Sequence, residues 1–191
     1  IRINTVNPPG NELATARFLD SLFKQAGIES RVYESAPGRG AVVARIRGVQ
    51  GPTAKSPVIL MGHMDVVGVV REQWTADPFA AEVRDGVLYG RGAIDDKGML
   101  IANLQAMLAL QRRVKAGQVL TRDVIYVANA DEEAGGDYGM GWLLKNHPDA
   151  IRAEYALNEG GRTRIMPNGK RYVALQMAEK VSHVVTVTAS G

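Results

Sequence analysis

The sequence predicts an α/β fold with a mostly parallel central sheet flanked by helices. Three observations predict it: short apolar strand segments alternate with amphipathic helical ones, two of those segments are compact buried-strand runs, and turn-forming clusters separate them. The opening Asn7-Pro8-Pro9-Gly10-Asn11 is a turn cluster, and Leu13, Ala16, Leu19, Leu22 and Phe23 recur at helical spacing until Gly27 stops them. Arg31-Val32-Tyr33 and the segment 41–46 read as strands parted by Pro37-Gly38-Arg39-Gly40. Val58-Ile59-Leu60-Met61 reads as a short buried strand.

A second helix is expected after Asp95-Asp96, with Leu100, Leu104, Met107 and Leu108 on one face and Arg112, Arg113 and Lys115 near its carboxyl end, where the helix dipole favours cations. Residues 123–130 form an apolar strand, 139–146 a short helix ended by Pro148, and 153–157 another strand. Residues 164–166 and 171–177 read as a hairpin through Pro167-Asn168-Gly169.

At 191 residues and 46% hydrophobic, the chain can bury a core as one domain, or as one domain and a piece of another. Its 23 basic residues interleave with 20 acidic ones to leave a formal charge of +3, so they read as solvated surface and no nucleic-acid partner is expected. The longest apolar run falls short of the about 18 residues a membrane span needs, so no membrane partner is expected either. The chain contains no cysteine, so any metal must be held by His, Asp and Glu. It begins with Ile1, which reads as a truncated start and leaves both cytoplasmic and exported locations open.

Three predicted strands end in side chains that can hold metal: Met61-Gly62-His63-Met64-Asp65, Ala130-Asp131-Glu132-Glu133, and Leu157-Asn158-Glu159-Gly160-Gly161. In open α/β sheets the carboxyl ends of strands share one crevice, so residues distant in sequence can converge there. Gly90-Arg91-Gly92-Ala93-Ile94-Asp95-Asp96-Lys97-Gly98 adds carboxylates at the amino end of the second helix. Each cluster alone has a structural reading: a satisfied histidine, a helix cap, a solvated loop, a turn carboxylate. Together they place an imidazole and several carboxylates at one sheet edge, an accumulation of like charge that divalent cations neutralise.

Side chains two apart on a strand point the same way, so Asp65 is expected to accept a hydrogen bond from the second ring nitrogen of a metal-bound His63. In Glu132-Glu133 the same alternation sends neighbouring carboxylates apart, so one can bind metal while the other serves a bound water as general base.

These four motifs, in this order, resemble those of the aminoacylase/carboxypeptidase family of co-catalytic zinc hydrolases. That family includes acetylornithine deacetylase, succinyl-diaminopimelate desuccinylase, the glutamate-releasing carboxypeptidases and the carboxypeptidase S group. The resemblance implies a three-layer zinc-peptidase fold, a zinc pair (with cobalt or manganese as substitutes) and hydrolysis of a peptide or N-acyl amide bond. It implies His63 and Glu159 as terminal ligands of one zinc, Asp95 as the bridging carboxylate, Glu133 as terminal ligand of the second zinc, Glu132 as general base and Asp65 as the residue supporting His63. Asp96 matches the position beside the bridge, where the family often has a cis peptide.

The family's second zinc also takes a histidine from near the end of a chain roughly twice this long. Neither His147 nor His183 matches it. Residues 1–180 therefore read as the front part of a catalytic domain, and 181–191 as the entry into an inserted lid or dimerisation domain through which a homodimer would form. The expected partner is a small peptide or N-acyl amino acid. Two rival readings are a non-catalytic metal-binding or assembly module and a related two-zinc aminopeptidase.

Overall fold

The computed structural model describes residues 1–174 and 185–189. Helix α1 (Glu12–Gln25) forms where the periodic apolar stripe begins, and Leu13, Ala16, Leu19 and Phe23 are its buried face. It stops at Gly27, whose φ of 72° takes the left-handed region, while the N–H of Ile28 closes back on the carbonyl of Phe23.

Strands β1 (Glu29–Ala36) and β2 (Arg39–Ile46) follow as an antiparallel pair. Gly38, with a φ of 77°, closes the connection tightly enough that Arg39 and Gly40 belong to β2 rather than to the expected loop. Next come β3 (Lys55–His63), β4 (Glu82–Arg84), β5 (Val87–Tyr89), α2 (Lys97–Lys115), β6 (Arg122–Asn129), α3 (Met140–Asn146) and β7 (Tyr155–Leu157). The β4–β5 hairpin, turned by Asp85 and Gly86 at positive φ, is an element the sequence reading left out.

The central sheet runs in the order β1-β2-β6-β3-β7. β6, β3 and β7 are parallel, β2 is antiparallel to β6, and β1 is antiparallel to β2. Only β2 is therefore reversed among these five strands, in keeping with the mostly parallel sheet expected.

Alternate residues of the central strands feed two cores. On one face Val42, Ala44, Ile46, Val124, Tyr126 and Ala128 pack against Leu19 and Phe23 of α1 and Leu100, Leu104 and Met107 of α2. Phe23 meets Tyr126 edge-on at 4.8 Å. On the other face Ala41, Val43, Ile59, Ile125 and Val127 pack against Leu143 of α3 and Ile151. Helices thus cover both faces, which gives the three-layer arrangement, and each large buried side chain contributes about 1.5–3 kcal/mol.

Residues Gly160–Gly191 form a second compact unit. In it β8 (Arg162–Ile165) and β9 (Arg171–Ala174) make the expected hairpin, with Gly169 at a φ of 76° in its turn. Residues 175–177 of the anticipated strand lie outside the described residues. So does His183, and of the anticipated entry into a lid at 181–191 only 185–189 are described, without regular secondary structure. No helix among the described residues is long and apolar enough to cross a membrane.

Candidate metal centre

The parallel run β6-β3-β7 carries its carboxyl ends to one edge, and the site stands there. His63 is the last residue of β3, in register with Asn129 at the end of β6, and Glu159 follows β7 by two residues. The amino end of α2 brings in Asp95 and Asp96, joined by a cis peptide, as the family resemblance implies. Gly62 is needed at this junction: a Cβ there would collide with the carboxylate of Asp96 and press on Leu100.

His63 is buried, and its ring is the centre of the cluster. Nε2 lies 2.9 Å from Asp95 Oδ1, 3.7 Å from Glu159 Oε2 and 3.9 Å from Glu132 Oε2. Two sets of potential ligand atoms, each mutually within 4.8 Å, share it: His63 with Asp95 and Glu133, and His63 with Asp96 and Glu159. The structure therefore brings together His63, Asp95, Glu133 and Glu159, the candidate ligands named from the sequence, and it adds Asp96. That residue occupies the N-cap position of α2 without capping it; its Oδ2 instead accepts the backbone N–H of His63 at 3.3 Å.

Asp65 acts differently from the strand argument. β3 ends at His63, so Asp65 lies beyond the pleat, and the nearest partner of His63 Nδ1 is the Asp65 main-chain carbonyl at 2.9 Å, with carboxylate Oδ1 at 3.4 Å. The carboxylate also holds the loop and the proline-rich turn: Oδ1 accepts the N–H of Glu132 and Oδ2 that of Glu133, each at 3.1 Å, and Oδ2 accepts the Asn7 amide at 2.9 Å. Likewise Glu132 and Glu133 are not on a strand. β6 ends at Asn129, Asp131 takes a left-handed conformation (φ 69°), and Glu132–Ala134 form a 3-10 turn. Gly139 closes this loop against β6, because any side chain there would run into the carbonyl of Ala130.

The electrostatics are those of a site short of positive charge. Burial opposes the His63 imidazolium, but Asp65, Asp95 and Glu159 outweigh it and raise the pKa to about 10. Burial pushes Asp96 up to about 7, with His63 opposing and Glu159 and Asp95 adding to the rise. Glu133 and Glu159 are also raised, by burial first and then by their carboxylate neighbours, with His63 opposing. A cation bound among these oxygens removes that mutual repulsion, and imidazole with carboxylates is a donor set suited to zinc. The residues present fit a divalent metal.

Residues 59–182, which contain all four motifs, match the profile of peptidase family M20/M25/M40. The chain belongs to this family. A curated relative, aminoacylase-1 of Sus scrofa, is 37% identical over 163 residues, covering 84% of this chain and 39% of its own. The chain thus spans about two fifths of the length of such relatives. Among solved structures, the M20 family metallo-carboxypeptidase Sso-CP2 from Sulfolobus solfataricus shares the fold at a TM-score of 0.69 and 24% identity, over 88% of this chain and 37% of that one. Human carnosine dipeptidase 1 does so at a TM-score of 0.62 and 24% identity, over 83% and 36%.

Within this M20-family chain, His147 is the C-cap of α3, with its ring against those of Tyr33 and Trp142 at 4.7 and 5.0 Å. Sequence reasoning missed Asn7 and Arg39, which reach the site's supporting carboxylates. Asn7 belonged to a turn cluster and Arg39 to a loop, so neither carried a metal-ligand pattern. The proline-rich turn is brought to the end of β3 by the bridge between Val6 and Val66 and by the bond from Asn7 N–H to the Val66 carbonyl.

Proposed function

We propose that this chain carries the metal-binding and proton-transfer half of an enzyme that hydrolyses a peptide or N-acyl amide bond. His63, Asp95, Glu133 and Glu159 would hold a pair of zinc ions, and Glu132 would serve as the general base. The observation that carries this reading is the convergence of Asp95, Asp96, Glu133 and Glu159 on His63 within metal-sized distances, with Glu132 beside them and outside both groups.

Bound zinc supplies Lewis-acid polarisation of the scissile carbonyl and acidifies water toward a pKa of about 7. The chain's residues do the rest. Glu132, half exposed and 3.9 Å from His63 Nε2 at its Oε2, can take a proton from the attacking water and return it to the leaving amine nitrogen. Asp65 fixes the backbone from which Glu132 and Glu133 project. The carbonyl of Asp65 orients the His63 ring so that Nε2 faces the carboxylates.

A non-catalytic metal module has no need of a carboxylate at Glu132, standing by the cluster without joining either ligand group. The similarity to an aminoacylase supports N-acyl amino acids as substrates, and the shared fold with a carboxypeptidase and a dipeptidase adds short peptides to the panel. The test uses the full-length protein carrying this chain. Hydrolysis of N-acetyl amino acids or dipeptides should vanish on chelation and return with zinc; chelator-resistant hydrolysis, or none with zinc restored, contradicts the reading.

A further inference from the structure

Behind the metal centre a buried chain of polar groups runs from α1 to the loop bearing Glu132 and Glu133. Glu12, in the first turn of α1 and 0% exposed, receives Arg39 Nε at Oε2 (2.7 Å) and Arg39 Nη2 at Oε1 (2.9 Å). The same Nη2 donates to Asp131 Oδ1 at 2.8 Å. The Asn7 amide donates to that Asp131 oxygen and to Asp65 Oδ2, both at 2.9 Å. Asp131 Oδ2 accepts the N–H of Tyr138, and the Arg39 guanidinium lies over the Tyr138 ring at 5.0 Å. Gly10 leaves room for this arrangement, since a Cβ there would strike both Arg39 and Glu12.

The topology of these bonds has a consequence for the site. The loop 131–138 is pinned at its start by Asp65 and at both ends by Asp131, and the cationic partner of Asp131 is Arg39. Two buried carboxylates, those of Glu12 and Asp131, pair with one guanidinium, and the buried Asp65 is joined to Asp131 through Asn7. Without Arg39, Glu12 would lose its guanidinium partner and Asp131 would keep only the neutral donors Asn7 and Tyr138 N–H, so Asp131 would have reason to turn toward solvent. Its movement would carry Glu132 and Glu133 with it.

We propose that Arg39, anchored by Glu12, is a positioning residue for hydrolysis: it fixes Asp131 and so holds Glu132 and Glu133 in register with His63 and Asp95. This rests on the roles proposed for Glu132 and Glu133. Lysine cannot replace it, because a point charge cannot engage Glu12 through two nitrogens while reaching Asp131.

The test compares Arg39→Met and Arg39→Lys with Arg45→Met in the full-length protein. Arg45 makes an ion pair of the same kind, 2.8 Å from Asp123, away from the loop, and so reports what losing a structural staple does. Measured are kcat and KM per folded molecule, zinc affinity by titration, and thermal unfolding. Removing support behind metal ligands costs about 10–100-fold in affinity or activity, so Arg39→Met should lower kcat by about 100-fold and Arg39→Lys by about 10-fold, with KM within about threefold and zinc bound about tenfold more weakly. Arg45→Met should keep kcat per folded molecule within about twofold.

If Arg39→Met does not fold, Arg39→Lys decides. Equal kcat losses in the Arg39 and Arg45 variants, or an Arg39→Lys protein with unchanged kcat and zinc affinity, overturn the proposal. If wild-type protein binds zinc but hydrolyses none of the substrates, the functional reading fails separately, and zinc affinity alone judges Arg39: weakened binding upholds its hold on Glu133, and unchanged binding overturns it. Wild-type protein that binds no zinc overturns both.

Discussion

Asp65 Oδ2 accepts the backbone N–H of Glu133 at 3.1 Å, so the carboxylate two residues past His63 also sets the start of the loop that carries two other acidic residues of the site. Replacing Asp65 with Asn turns one acceptor into a donor facing an N–H. Asp65→Asn should therefore weaken zinc binding and lower kcat, each by about 10–100-fold. Zinc titration and steady-state kinetics on the same preparation check it; unchanged values for both would show that the loop holds its position without this carboxylate.

The site was legible in the sequence to the extent that its residues close strands. His63 and Glu159 follow apolar runs, and the parallel topology those runs imply brings their ends together without any need to know the loops. The supporting network was not legible, because its bonds join residues distant in sequence: Asn7 to Asp131 spans 124 positions and Arg39 to Asp131 spans 92. Local periodicity carries no information on such pairings. The divergence of Glu132 and Glu133 was anticipated from strand alternation, yet the backbone there is a left-handed residue followed by a 3-10 turn. The β4–β5 hairpin escaped notice because its strands are three residues each and largely exposed, which leaves no buried alternation to read.

Gly62 tests how closely α2 must approach β3. A methyl group at this position meets the Asp96 carboxylate and Leu100, both held by the start of α2. Gly62→Ala should destabilise the fold by about 1–3 kcal/mol, the usual cost of overpacking. Urea unfolding in the presence of chelator would measure it free of metal effects; a loss below about 0.5 kcal/mol would mean that the helix moves aside without penalty.

Asp123 gives a pH-dependent prediction away from the metal. Burial alone would raise its pKa, but Arg45, the N–H of Gly48 and Arg47 outweigh burial and hold it below the ordinary 3.8. A depressed folded-state pKa means that the stabilisation is complete above the unfolded value and is lost as pH falls through the folded one. Asp123→Asn should cost about 1–3 kcal/mol at pH 7, and the gap between variant and wild type should narrow as pH falls below the ordinary carboxylate value and through the depressed folded-state one. Thermal unfolding of both proteins from pH 7 to pH 2.5 checks this; a constant gap would show that the charge of Asp123 contributes nothing.

The central claim is that Glu132 moves a proton while its neighbour Glu133 holds metal. The most direct measurement takes Glu132→Gln in the full-length protein and determines zinc content and turnover on the same sample. Zinc content should stay near that of wild type while kcat falls by roughly a hundredfold or more, because the amide keeps the shape and loses the base. Loss of zinc in step with loss of activity would contradict the account and exchange the roles of Glu132 and Glu133.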